Sequence, residues 1–232
     1  MENENIVIGI EGLVGSGKTS ISRELLKYIP NSILLHGGNI YRAIVYSIMN
    51  SNIDLKQLTN KMKNVDIAEI MDKINLEVRL ESKETVIYVN GKKVDSKDLQ
   101  SEKSSVAVST VSNVANNKNL YYFGKNLIDS FRDKYNVILS SRDIVRMYPD
   151  VTYHFFITAD LNERVNRKFI QYNKEIPKKQ IEETIKKRDE LQKKSGYYDL
   201  HKITQIIDVT NCNSIKSATQ KVLNHIKIEA VV

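Results

Sequence analysis

The chain has 232 residues and a formal charge of +7, from 35 basic against 28 acidic side chains, and 41% of its residues are apolar. That length suits one substantial domain with an insertion or a lid, and no stretch approaches the run of about 18 apolar residues that a membrane span needs. Cys212 is the single cysteine, so no internal disulfide can form, and the acidic opening MENEN runs straight into a strand pattern rather than a leader; the cytoplasm is the expected compartment.

In chain order, Ile6–Ile10 (IVIGI) is a continuous apolar run, as in a strand buried on both faces of a parallel sheet. GLVGSGKT follows, and SISRELLKYI then places Ile21, Leu25, Leu26 and Ile29 on one helical face before Pro30 and Asn31 stop it. SILLHGG reads as a second strand and NIYRAIVYSIMN as a second helix, the opening of an α/β fold. From about Ser51 the pattern changes. LTNKMKNVDIAEIMDKI is amphipathic, and LEVRLESKETVIYVNGKKV alternates like antiparallel strands, with Asn90-Gly91 marking a tight hairpin. This predicts an inserted subdomain over 50–104. Helical spacing resumes through VAVSTVSNVANNKNLYYFGKNLIDSFRDKY, and NVILSS, TYHFFIT and QIIDVT are three further buried-strand runs.

The glycine-rich stretch carries the strongest chemical signal. Gly12, Gly17, Lys18 and Thr19 meet the spacing G-x-x-x-x-G-K-[ST] between a strand and a helix, with Gly15, Ser16 and Ser20 completing the expected phosphate lining. Glycines let successive backbone N–H groups turn inward around phosphate oxygens, Lys18 would neutralise the β and γ phosphates, and the Thr19 hydroxyl would ligate Mg²⁺. Two later stretches sit at the same carboxyl edge of the sheet. In HGGNIYRA, Arg42 could reach a second phosphate or could lie on a helix surface. In SSRDIVRMYPD, Arg142 and Asp143 form either an acceptor clamp or a local salt bridge. The basic run Asn173–Lys194 is interrupted at helical spacings by Glu182, Glu183 and Glu190, as on a solvated face; alternatively it is a lid over 171–199 that brings Arg188 to a transferring phosphoryl group. With no tryptophan and no aromatic stacking platform, nucleic acid is not an expected partner.

Taken together, GLVGSGKT, GGNIYRA, VSNVA, SRDIVRMYPDV, NERVNRK, KKRDE and IDVT resemble, in order and spacing, the cytidylate kinase family of bacterial nucleoside monophosphate kinases. The resemblance implies a P-loop NTPase three-layer α/β sandwich with a central parallel sheet, an inserted acceptor-binding subdomain and a helical lid, the whole forming a single kinase domain over 1–232. It implies ATP and Mg²⁺ served by Lys18 and Thr19, a donor-side Arg164, an acceptor phosphate on Arg42 and Arg142, an acceptor base read by Ser109, Asp143 and Lys118 beside Gly37, and Arg188 as the lid's catalytic cation. The catalytic set is therefore Lys18, Arg142 and Arg188, acting on a small nucleotide, in a protein expected to be a monomer with no membrane partner. His36, Gly37, Gln100, Lys118, Ser140, Gln192 and Ser195 depart from the family pattern. CMP or dCMP is the default acceptor, with a different nucleotide, a phosphorylated metabolite or a nucleotide sensor of little activity as alternatives.

Overall fold

A computed structural model describes residues 5–40, 42–43, 75–95, 99 and 118–227. Its elements are β1 (Val7–Gly12), α1 (Lys18–Leu25), β2 (Ser32–Leu35), β3 (Leu76–Glu81), β4 (Glu84–Val89), β5 (Lys92–Lys93), α2 (Lys118–Arg132), β6 (Asn136–Ser140), α3 (Ile144–Met147), β7 (Tyr153–Thr158), α4 (Leu161–Gln171), α5 (Lys178–Lys194), β8 (Thr204–Asp208) and α6 (Ile215–Leu223). The contacts divide the chain into two compact units, Met1–Leu34 with Arg132–Val232, and Leu35–Phe131. Among the described residues no helix is long and apolar enough to cross a membrane.

The first unit is an α/β layer structure on the strand order β2-β6-β1-β7-β8. β1 runs parallel to both its neighbours, with Val7 opposite Val137 and Gly12 opposite Ile157, and β7 runs parallel to β8. All six residues of β1 are buried, which explains its unbroken apolar character: helices cover both faces of such a strand. Because β6 and β7 flank β1 on opposite sides, the loop leaving the carboxyl end of β1 opens at the point where the strand order reverses, the place where doubly wound sheets bind ligands.

One core face is made by Ile21 and Leu25 of α1 and Ala218 and Val222 of α6 against Ile8, Ile10, Ile138, Phe155 and Ile157. Ser214 starts α6 with a capping box, its hydroxyl accepting from the Ser217 N–H while Ser217 reaches back to Ser214. A separate cluster of Val14, Val165, Ile181 and Ile185 joins the glycine-rich loop to α4 and α5, with Leu161, Phe169 and Ile176 packed around it.

In the second unit β3, β4 and β5 form an antiparallel meander. Asn90-Gly91 turns β4 into β5 with φ of 49° and 72°, the left-handed pair that a two-residue hairpin requires. The β3–β4 turn has the same geometry at Ser82 and Lys83, with φ of 49° and 69°, although neither residue type announces it. His36 is braced by the hairpin: its N–H donates to Thr85 Oγ1 at 3.0 Å, and its ring Nε2 lies 2.8 Å from Glu84 Oε2. Helix begins by 37–40, two residues before the NIYRA stretch that predicts it. The amphipathic helix expected over LTNKMKNVDIAEIMDKI lies outside the described residues, as do 50–74, 96–98 and 100–104 of the expected insertion.

Phe155 has no solvent exposure and belongs to the main cluster. Phe155→Ala should cost about 3–5 kcal/mol, read as a lowered urea midpoint followed by circular dichroism.

Candidate functional site

The loop between β1 and α1 is shaped by what it lacks. A Cβ on Gly12, at φ 142°, would lie 2.0 Å from the Ile157 carbonyl oxygen, which accepts the Leu13 N–H at 3.0 Å. Only glycine permits that approach. Gly15 and Gly17 take φ of 79° and 98°, and Gly17 opens α1 with no side-chain cap. Ile21 is the first N–H of the helix to reach back, to the Gly17 carbonyl at 3.0 Å, so the amides of Lys18, Thr19 and Ser20 precede the intrahelical ladder. They form an anion-receiving array at the positive end of α1. Thr19 and Ser20 are exposed there. Ser16, fully buried, instead braces the loop: its hydroxyl donates to the Leu13 carbonyl at 2.9 Å.

Lys18 folds its ammonium back on the loop, donating to the carbonyls of Gly12 at 2.9 Å and Leu13 at 2.7 Å. Burial pushes its pKa well below the usual lysine range, and the charges of Arg142 and Arg188 push it further the same way; Asp189 and Glu11 act in the opposite sense. Arg188 is likewise lowered, by burial first and by Arg142 second. Lys18 comes from α1, Arg142 from the loop after β6, and Arg188 from α5. Three cations from separate parts of the chain thus converge closely enough for Arg142 to disfavour the charge of both Lys18 and Arg188.

The surrounding hydrogen bonds hold them there. Arg142 Nε donates to Gln192 Oε1 at 2.9 Å and Nη1 to the Ser141 carbonyl at 3.1 Å. The Tyr198 hydroxyl donates to Asp189 Oδ1 at 2.6 Å and lies 3.0 Å from Gln192 Oε1, and its ring meets Phe156 edge-on at 5.5 Å. Asp189 also accepts the Val14 N–H at 3.1 Å and pairs with Arg164. Glu11, buried at the end of β1, accepts the Ile144 N–H that starts α3 and lies 3.4 Å from His154 Nε2. The loop carrying Arg142 and the loop carrying Lys18 are therefore both tied to β1.

Lys18, Thr19, Arg142 and Arg188, singled out from sequence, come together in the first unit. Arg164 is 7% exposed and bonded to protein acceptors, with Nε on the Ala159 carbonyl at 2.9 Å and Nη1 on the Val14 carbonyl at 3.0 Å. Its neighbour Arg167 grips the loop, donating to the Ser16 carbonyl at 3.0 Å and the Val209 carbonyl at 2.8 Å. The charge pair read into SRD divides: Arg142 turns to α5, and the buried Asp143, at φ 54°, faces Arg146 at 3.6 Å. Gly37 and Arg42 belong to the second unit, where Arg42 Nη1 donates to the Leu99 carbonyl at 2.9 Å. Lys118 is the first residue of α2, while Ser109 lies outside the described residues. Sequence reasoning passed over Asp189, Gln192 as a structural anchor, Arg167 and Tyr198. The available signal was the stripe Ile181, Ile185, Asp189, Gln192, whose spacing puts apolar and polar residues on one helix face.

A glycine cradle at the reversal point of a parallel sheet, faced by a lysine and two arginines, defines a P-loop phosphate-handling protein. Residues 8–228 match the family model described as cytidylate kinase, and the chain belongs to that family. A cytidylate kinase of Clostridioides difficile (strain 630) is 28% identical over 232 residues, covering 97% of this chain and 99% of that one. One from Alkaliphilus oremlandii (strain OhILAs) is 26% identical over 230 residues, with the same coverage. Among solved structures, an uncharacterized protein from Eubacterium ventriosum ATCC 27560 aligns at a TM-score of 0.49 and 14% identity over 96% of this chain and 98% of its own.

Burial, and then the charge of Asp143, push the Tyr197 phenol up to about 12. The folded state therefore keeps a proton that the unfolded chain loses near pH 10, so this contribution is complete below pH 10 and lost between about pH 10 and 12. Tyr197→Phe should flatten the fall in melting temperature across that window.

Proposed function

We propose that this protein transfers the γ-phosphoryl group of ATP to CMP or dCMP. The observation that carries the reading is the convergence of Lys18, Arg142 and Arg188 beside the glycine cradle: a polyanion placed among them would relieve a repulsion that the folded chain otherwise sustains. The family supports the pyrimidine acceptor.

The donor phosphates fit the loop amides and Lys18, whose ammonium needs only to swing from the Gly12 and Leu13 carbonyls. Thr19, exposed on the first turn of α1, would hold Mg²⁺, which supplies charge neutralisation and a template for the phosphates. Arg142 would bind the acceptor's phosphate and Arg188 would stabilise the equatorial oxygens of the transferring group, with α5 and the segment 171–199 acting as the lid that excludes water. Arg42, Gly37, Ser109, Lys118 and Asp143 are assigned to the acceptor, with Arg42 on its phosphate. A separate general base is unnecessary, because the attacking phosphate oxygen is already anionic. Positioning and electrostatics supply the catalysis.

An ATP-consumption screen across the common ribo- and deoxyribonucleoside monophosphates tests the acceptor, with strongest turnover expected on CMP or dCMP. Preference for another monophosphate would reassign the acceptor, and ATP binding with no turnover on any would make the protein a sensor. Lys18→Ala should abolish turnover, Arg188→Ala should lower kcat by about 10³-fold or more, and Arg42→Ala should mainly raise the acceptor KM. Survival of full activity in Lys18→Ala would overturn the loop assignment.

Anion binding should also raise the depressed Lys18 pKa. Below the ordinary lysine range near 10.5, ATP binding then takes up protons. Calorimetry in buffers of different ionisation enthalpy, repeated at several pH values below that range, should show this uptake, and Lys18→Arg should remove it.

A further inference from the structure

The three donors on Asp189 come from three different places. Oδ1 accepts from the Val14 N–H of the phosphate loop at 3.1 Å and from the Tyr198 hydroxyl at 2.6 Å, and Oδ2 pairs with Arg164 of α4. Arg164 cannot follow α5 if that helix moves, because it is itself pinned to the Ala159 and Val14 carbonyls. Below Asp189 on the same face, Ile181 and Ile185 pack on Val14 and Val165. Such apolar contacts hold a helix on a surface but tolerate small rotations and slides, whereas a carboxylate bonded to three fixed donors does not.

We propose that Asp189 is a positioning residue for phosphoryl transfer: its carboxylate locks α5 against the phosphate loop at one rotation and so aims the adjacent Arg188 at the site. Successive helical residues point about 100° apart, so fixing Asp189 on Val14 and Arg164 determines the direction of Arg188, which lies within electrostatic range of Lys18 and Arg142. Three residues further along, Gln192 extends the same control to Arg142 through its bond to Nε, and Tyr198 lies against both anchors, donating to Asp189 Oδ1 with its hydroxyl 3.0 Å from Gln192 Oε1. The loop that holds the donor and the helix that brings the cation are thereby set by one side chain. The catalytic part of this inference rests on the kinase reading above; the docking part does not.

The test uses the full chain with Asp189→Asn, Arg188→Ala, the double variant, and Tyr198→Phe, which removes one donor while leaving the carboxylate paired with Arg164. Two quantities are read: kcat and both KM values per folded molecule, and amide hydrogen exchange at Val14 and along α5 without nucleotide. Asp189→Asn should lower kcat about 10²-fold, the scale of a 1 Å misplacement, while each KM changes less than about 3-fold. Because Asp189 acts mainly through Arg188, adding Asp189→Asn to Arg188→Ala should cost far less than the ~10²-fold it costs alone, the small remainder reflecting the phosphate loop and Arg142, a non-additivity that a merely stabilising residue would not show. Exchange at Val14 should accelerate in Asp189→Asn, and Tyr198→Phe should give the same pattern at smaller amplitude. Losses that multiply in the double variant, or unchanged exchange at Val14, would overturn the proposal. If the wild type phosphorylates no monophosphate, the kinase reading fails, and the exchange measurement still decides whether Asp189 locks the helix.

Discussion

Like charges held close together are the constraint around which this site is arranged. Like charges repel, and lysine and arginine side chains left to themselves would turn to solvent instead. Here they cannot turn away freely. Gln192 holds Arg142, loop carbonyls hold the Lys18 ammonium, and α5 is pinned beside them. Asp189 and Glu11 offset part of the repulsion without entering it as ligands: both carboxylates are occupied by backbone N–H groups and by a basic side chain close by. What is left is a positive field in a nearly preorganised setting, which favours a substrate carrying several phosphate charges.

The strands and the loop could be read from the chain because both are imposed locally. A strand buried on both faces must be continuously apolar, and IVIGI, NVILSS and TYHFFIT fall in β1, β6 and β7. The glycines of GLVGSGKT could be read because positive φ and the contact with Ile157 exclude a side chain. Asn90-Gly91 was readable for the same reason, while the equivalent turn at Ser82-Lys83 was not, since the strand pairing around it forces two ordinary residues into the left-handed region. The family resemblance drawn from the order of short motifs agrees with the match over residues 8–228.

What the chain did not disclose depends on partners distant in sequence. KKRDE looks like a solvated helix because Glu182 and Glu190 do pair with Lys186 and Lys194 on its outer side. The inner side is invisible without Val14, 175 positions from Asp189 along the chain. Arg142 and Asp143 are adjacent and oppositely charged, which suggests a mutual pair, yet the left-handed backbone at Asp143 sends the two side chains to different elements. Local spacing names residue types; only the packing says where each one turns.

The small cluster of Val14, Val165, Ile181 and Ile185 has a further consequence. It is separate from the main core under α1 and α6, and apolar burial confined to the α4–α5 layer is the condition under which such a layer opens without melting the sheet. Such an arrangement lets the region nearest the reacting groups be tuned for rate of opening while the scaffold is tuned for longevity, two properties that a single shared core would force to change together.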